Sequence, residues 1–250
     1  MEITDRKPLQ GVANIVRFNW HFYIIALVSI CAMLYLAGFV AQSYTYILYG
    51  ICIAIILSML TSLAVSFYVY DVSNLYSLYW FDAIAVPNNA TIVNINAGFD
   101  ETSALLQHKY PKCTLAVLDF YNPATHTEVS IKRARSAYPP YPNTQQISTN
   151  YLPLNANSVD VIAVTFAAHE IRNNDERMAF FNELKRIIKP TGKIIITEHL
   201  RDWPNFTAYN IGYFHFLSKQ TWQSNIATAQ LTLFKEIKIT PFISSFILHK

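Results

Sequence analysis

Charge is scarce in this sequence. Asp, Glu, Lys and Arg make up only 14% of its 250 residues, against about 25% in an ordinary soluble domain. Hydrophobic residues reach 52%, so extended disorder is excluded and the shortage of charge must be local. Cysteine is scarce as well. Cys31, Cys52 and Cys113 form no CxxC pair and have no histidine at ligand spacing, which argues against a disulfide scaffold and a zinc site and fits a reducing compartment. Lys and Arg exceed Asp and Glu by only +3 and are not gathered into an aromatic-interleaved stripe, so there is no nucleic-acid footprint. The length suits one ordinary domain with a few additional helices rather than two large cores.

The missing charge is concentrated near the N-terminus. No Asp, Glu, Lys or Arg occurs between Arg17 and Asp71. About 20 apolar residues in a helix cross the ~30 Å hydrocarbon layer, and a helix satisfies its own backbone where water is absent. Residues 22–41 and 46–69 both qualify, with Gln42-Ser43 as a short turn. The run is far too long for the apolar core of a signal peptide, and the alternative is a buried soluble helical hairpin. Arg6, Lys7 and Arg17 precede the first span and the turn carries no basic residue. Both ends of the hairpin are therefore expected in the cytoplasm, with Trp20, Tyr23, Tyr68, Tyr70, Tyr76, Tyr79 and Trp80 as an interfacial belt. The segment 71–88 reads as a short helix or linker lying at the membrane surface or beneath the next domain. The expected organisation is a cytoplasmic segment 1–20, two spanning helices in 21–70, the linker 71–88 and a folded domain 89–250.

From Ala90 the pattern changes to strands alternating with helices. The runs 90–95 (ATIVNI), 114–119 (TLAVLD), 159–166 (VDVIAVTF) and 193–197 (KIIIT) read as strands. Between the last two, Asn173 and Glu176 mark a helix start, Met178, Phe181, Leu184 and Ile188 form its apolar stripe, and Pro190-Thr191-Gly192 ends it. Residues 231–239 and 242–248, separated by Thr240-Pro241, predict a tight strand pair at one edge. A mostly parallel sheet covered on both faces follows, binding its ligand beyond the C-terminal ends of its strands.

After the first strand the turn is Asn96-Ala97-Gly98-Phe99-Asp100, in which only one glycine of a Gly-rich loop is present. The second strand ends in Asp119, at the spacing where a carboxylate accepts hydrogen bonds from ribose hydroxyls. The blocks LPLNANSVDVIAVTFAAHEI (152–171) and FFNELKRIIKPTGKIIITEHL (180–200) resemble the second half of a class I S-adenosylmethionine-dependent methyltransferase. The counterparts are the Leu152-Pro153-Leu154 turn, the acid Asp160, and the helix end 184–192. This resemblance implies a Rossmann-like, mostly parallel seven-stranded sheet with a C-terminal antiparallel pair, here preceded by a two-helix transmembrane hairpin, and S-adenosylmethionine as cofactor. It aligns the family's acid-x-Gly-x-Gly-x-Gly motif with Asn94, Asn96, Gly98 and Asp100, so two glycines and the acid are absent. It assigns Asp119 to the ribose, and residues near Asn150 to the adenine.

The methyl group of this cofactor is already electrophilic, so the protein has mainly to align an acceptor and, for an oxygen acceptor, remove a proton. His169, just after the fourth strand, is the first candidate base because a free imidazole is largely unprotonated at cellular pH, and His199 is the second. Glu170 could orient His169 or bind the cofactor amine. Arg201, Tyr209 and His215 are candidate acceptor contacts. No metal is expected. The reading is a membrane-anchored methyltransferase acting on a lipophilic small molecule, with O-methylation favoured. The competing readings are a catalytically inactive methyltransferase-like scaffold, and a nicotinamide-dependent oxidoreductase that would lack its GxGxxG loop.

Overall fold

The computed structural model describes residues 6–126 and 128–250; residues 1–5 of the expected N-terminal segment lie outside it. Two long helices come first, α1 (Gln10–Ala37) and α2 (Gln42–Phe67). Both are long and apolar enough to cross a membrane, and only 6% of the most apolar window of each is buried within the molecule. A soluble core helix would be mostly covered; here Phe22, Leu27, Val28, Ile47, Leu57 and Leu60 are more than half exposed.

The lower halves of the two helices form a stalk that docks on the folded domain. Asp71 accepts the Gly11 and Val12 backbone N–H groups at 2.7 and 2.8 Å, satisfying two of the free donors at the start of α1. Gly11 is required there, because a Cβ would collide with Tyr70. Phe18 is buried edge-on against Phe99 and Tyr138. Its carbonyl accepts from Arg133 at 2.6 Å, and α1 kinks at the next residue, Asn19 (φ −115°, ψ 18°), as helices do where a side chain takes over a ladder carbonyl.

The expected helix over 71–88 is absent. A π-helical turn (Tyr68–Val72) and two 3₁₀ turns (Asn74–Ser77, Tyr79–Ala83) replace it. Leu78 adopts a left-handed conformation (φ 53°) between the 3₁₀ turns. Leu75, Leu78, Trp80 and Phe81 are buried against one face of the sheet, so this stretch is core rather than membrane surface, and Trp80 belongs to no interfacial belt. An apolar stripe meets lipid and a sheet face equally well, which is why its periodicity did not separate the two.

The sheet contains β1 (Thr91–Asn96), β2 (Thr114–Asp119), β3 (Gln145–Gln146), β4 (Val159–Thr165), β5 (Ile188–His199), β6 (Thr232–Thr240) and β7 (Ile243–His249). Their spatial order is β3-β2-β1-β4-β5-β7-β6, all parallel except β7, which is antiparallel to both neighbours. Side chains alternate between two cores, as a pleated strand requires. Val93, Ile162, Ile194 and Ile196 face α5 (Asn174–Ile187) and α7 (Lys219–Thr228); Ile92, Val161, Ala163 and Ile195 face the 69–86 segment and α3 (Ser103–Lys109). Asn173 caps α5 through its side-chain oxygen, which accepts from Asp175 and Glu176 N–H. β5 begins directly at Ile188 and includes Pro190-Thr191-Gly192, so the expected breaker ends the helix without delaying the strand. The family acid Asp160 sits at the start of β4, accepting from Thr91 N–H at 2.9 Å and from Lys189 at 2.8 Å; it ties strand starts together at the end of the sheet opposite the ligand rim.

Candidate active site

Strand order reverses between β1 and β4, and the residues following β1, β2, β4 and β5 converge at that rim. After β1, Asn94 is turned inward. Its amide donates to Thr102, Ser103 and Asp100 at 3.0, 2.8 and 3.2 Å, so it braces the loop. Asp100 Oδ1 accepts the Thr102 and Ser103 N–H groups at 2.9 Å. Asn96 Oδ1 accepts from Gly98 N–H at 3.0 Å, and Gly98 has φ 98°, a region that favours glycine. Asn96 Nδ2 and Asp100 Oδ2 are buried without a partner. Such groups are costly unless something else satisfies them.

At the end of β2, Asp119 is buried. Its Oδ1 accepts from Tyr121 N–H at 2.8 Å and its Oδ2 pairs with Arg135 at 2.5 Å. Arg135 comes from α4 (Val129–Ala137); its guanidinium also donates to the Gly98 carbonyl at 3.3 Å and stacks over Tyr121. It thus lies across the loop-carboxylate pair, with its side chain 32% exposed. Asn150 is exposed and accepts from Ser148 at 2.7 Å.

A second group of side chains follows β4 and β5. His169 Nδ1 donates to Glu198 at 2.6 Å, and Glu198 also accepts the His169 N–H. Burial alone would lower the His169 pKa, but the adjoining Glu198 and Glu170 carboxylates raise it to about 10. The expectation of an unprotonated imidazole base is therefore not met in this arrangement. Glu170 takes contacts at 3.3 Å from His169 Nε2 and 3.2 Å from His215 Nε2. Burial opposes its charge, yet these two histidines hold its carboxyl well below the ordinary range. His199 behaves in the opposite way. Burial pushes its pKa down to about 4, and its Nδ1 faces two acceptors, Asn205 Oδ1 at 3.0 Å and the Phe242 carbonyl at 3.1 Å. The proton therefore sits on Nδ1, leaving Nε2 to accept from the Tyr70 hydroxyl at 2.8 Å.

Arg201 donates to the Phe216 and Phe214 carbonyls at 2.7 Å, fastening the segment that carries Tyr209 and His215. Tyr209 is packed edge-on against His199 and Phe216. This segment is α6 (Trp203–Tyr209) followed by a 3₁₀ turn (Asn210–His215). Glu128, Arg135 and Tyr70 were not singled out as site residues by sequence reasoning. Glu198 was visible as a charge at the end of an apolar strand, which signals a buried partner.

A family model described as a methyltransferase domain matches residues 94–196, from the inward-turned asparagine of β1 to the end of β5's apolar run. Residues 94–196, less than half of the chain, are thus similar to a methyltransferase domain. The methyltransferase fold is shared with an S-adenosylmethionine-dependent methyltransferase from Aquifex aeolicus (16% identity, 70% of this chain and 91% of that one, TM-score 0.51). It is shared also with a geranyl diphosphate C-methyltransferase from Streptomyces coelicolor solved with Mg2+, geranyl diphosphate and S-adenosyl-L-homocysteine (10% identity, 69% and 77%, TM-score 0.51). A methyltransferase from Methanosarcina mazei is similar (14% identity, 68% and 96%, TM-score 0.50). At these identities the likeness concerns the fold. No curated protein matches this chain by sequence. The unpartnered Asn96 amide and Asp100 oxygen, with the Asp119 carboxylate at the rim, have the chemistry to hold a polar ligand such as S-adenosylmethionine, and Arg135 lies across that carboxylate.

The pKa values of the two buried histidines, His169 and His199, are displaced in opposite directions, which sets one pH effect. Because His199 is neutral when folded and takes up a proton near pH 6.5 when unfolded, the unfolded chain binds the extra proton between about pH 6.5 and 4, and stability falls as pH drops through that window. The expected difference between wild type and His199→Gln across it is on the order of 3 kcal/mol, read from denaturant unfolding at a series of pH values. Parallel curves for the two proteins would contradict a neutral, buried His199.

Proposed function

We propose that this chain is a membrane-anchored methyltransferase acting on a lipophilic small molecule at the cytoplasmic face of the bilayer, with oxygen as the acceptor atom. One observation carries this reading. The Asn210 amide donates to Ser58 of α2 at 2.7 Å, tying the segment 203–215 to the hairpin, and Trp203, Ile211 and Phe214 of that segment are 73, 84 and 62% exposed. Counted from the turn between the helices, Ser58 lies at about the height of Phe22, where α1 becomes wholly apolar. Exposed aromatic and aliphatic side chains at that height suit the boundary between headgroups and acyl chains. The spanning parts are then about 22–40 and 42–58, each long enough for the hydrocarbon layer, with the rest of each helix forming the stalk. Arg17, Lys132 and Arg133 line one groove beside Trp20 at the same level, in keeping with an anionic cytoplasmic leaflet.

In this proposal the cofactor supplies an electrophilic methyl group. Asp119 accepts from its ribose after Arg135 turns away, and Asn96, Gly98 and Asp100 line its loop. His169, fixed by Glu198, and Glu170 stand on the acceptor side of the rim, where they would position an acceptor oxygen. Arg201 holds the segment that brings Tyr209 and His215 to the acceptor side. Confinement to the bilayer surface raises the local concentration of a lipophilic acceptor.

The test is transfer of labelled methyl from S-adenosylmethionine by the full chain in detergent or liposomes, offered a membrane lipid extract, soluble proteins and nucleic acid in parallel. Label in the organic-soluble fraction is expected, and it should fall when Trp203 and Phe214 are both replaced by Ser. Label confined to soluble protein or nucleic acid would reject the lipophilic acceptor. The inactive-scaffold reading predicts no transfer to any fraction.

A further inference from the structure

His169, Glu170 and His215 bring two imidazoles and a carboxylate together at the rim. Among the described residues they form a group whose ligand atoms all lie within 4.8 Å of one another. Glu170 Oε1 stands 3.3 Å from His169 Nε2 and 3.2 Å from His215 Nε2. Nitrogen and oxygen ligands placed tetrahedrally at about 2.0–2.1 Å from a zinc ion are themselves about 3.3 Å apart. Two of the three ligand separations, from the carboxylate oxygen to each Nε2, match that value, and all three fall within 4.8 Å.

The opposite ring nitrogens strengthen the case. His169 Nδ1 meets Glu198 at 2.6 Å, and His215 Nδ1 meets Glu128 at 2.6 Å. A metal-binding histidine usually donates its remaining N–H to a carboxylate, which fixes the ring and makes the ligating nitrogen more basic. Here both histidines have that arrangement, and the carboxylates come from separate elements, the end of β5 and the loop before α4. Three carboxylates face two imidazoles; the Arg172 guanidinium lies over the His215 ring, 2.9 Å from Nε2, and reaches Glu128 only at 3.9 Å, so it must leave the ring before an ion can bind. Its side chain is 44% exposed, so it can withdraw from the ring.

We infer that His169, Glu170 and His215 form a His-Glu-His binding site for a first-row divalent transition ion, with Glu198 and Glu128 as the carboxylates that orient the two histidines. Two imidazoles and one carboxylate leave at least one coordination position for an oxygen ligand. His215 is the more exposed histidine, so entry and the open position lie on its side. The site follows β4 directly, on the rim where the acceptor is proposed to bind. If that reading holds, a hydroxyl in the open position would lose its proton to solvent water without a free imidazole base; this consequence rests on the proposed O-methylation, whereas the metal site does not.

The experiment uses the full chain in detergent, stripped with chelator, then equilibrated with Zn2+ or Co2+ alone and freed of excess ion. Bound metal is counted by atomic emission, and the cobalt protein is read by its visible absorption. About one ion per chain is expected, with the intense bands of a low-coordinate cobalt site. His215→Ala, which alters a partly exposed turn, should abolish both signals, as should Glu170→Gln. Glu128→Gln should retain the site with affinity reduced about 10- to 100-fold, and His249→Ala, at the far end of β7, should leave it unchanged. Wild type that retains no more metal than His215→Ala, or His215→Ala that retains a full equivalent, would overturn the assignment. Both outcomes are independent of methyl transfer, so failure of the acceptor proposal and failure of this one are distinguishable.

Discussion

Asp119→Asn is expected to weaken S-adenosylmethionine binding about 100-fold in titration calorimetry. The substitution preserves shape and can still accept from Tyr121 N–H, but it removes the charge at the end of β2. Hydrogen bonds to a charged group contribute about 1.5–3 kcal/mol each, and a hundredfold in affinity corresponds to about 2.7 kcal/mol. Arg135 makes the prediction sharper, because in this structure it occupies the Asp119 Oδ2 atom at 2.5 Å. Cofactor and guanidinium then compete for one carboxylate, so Arg135→Ala should tighten binding. The Arg135 side chain is 32% exposed and turns readily to solvent, a change of up to about 1 kcal/mol, which limits the gain to about fivefold. Opposite signs for two partners of one ion pair cannot arise from general destabilisation. Equal affinity of wild type and Asp119→Asn would remove Asp119 from the cofactor site, and no binding by any of the three proteins would favour the inactive scaffold.

The same residues explain what could be read in advance and what could not. Strands and the order of strand and helix were legible because buried parallel strands such as 159–166 and 193–197 are continuous apolar runs, and because Asn173 and the 184–192 block punctuate the helix between them. The C-terminal pair was legible from its Thr240-Pro241 turn. The segment 71–88 was not, since one apolar stripe suits lipid and sheet alike. Arg135 was hidden for a different reason: in the stretch IKRARSAY nothing distinguishes the one cation that reaches across the fold to Asp119 from those that face water. The polar cluster was visible only in pieces. Ala168-His169-Glu170 and Glu198-His199 each stood out at strand ends, but their pairing depends on the register of β4 with β5, where Thr165 meets Thr197. Residues immediately beyond that register become neighbours, which is how Glu198 and His169 meet. Glu128, brought in from a loop, carries no local signal.

That pairing supplies the second large effect. Glu198 is fully buried and accepts both the His169 side chain and its backbone N–H, so it anchors the turn after β4 to β5 by two bonds. Glu198→Ala in chelator-treated protein is expected to cost about 3–5 kcal/mol, the usual consequence of leaving one member of a buried ion pair without its partner. Thermal unfolding of the folded domain should shift down by about 6–20 °C, at roughly 2–4 °C per kcal/mol for a domain of this size. Glu198→Gln separates charge from shape. It keeps one acceptor for His169 Nδ1 but turns an amide N–H2 toward the other donor, so it should be milder than Ala and should return the His169 pKa from about 10 toward or below the ordinary imidazole value, followed by NMR of the ring protons. An unchanged His169 titration in Glu198→Gln would mean that Glu170 alone holds the proton. In that case the β4–β5 junction would owe its stability to packing rather than to the buried pair, and Glu198→Ala would lose far less than the stated range.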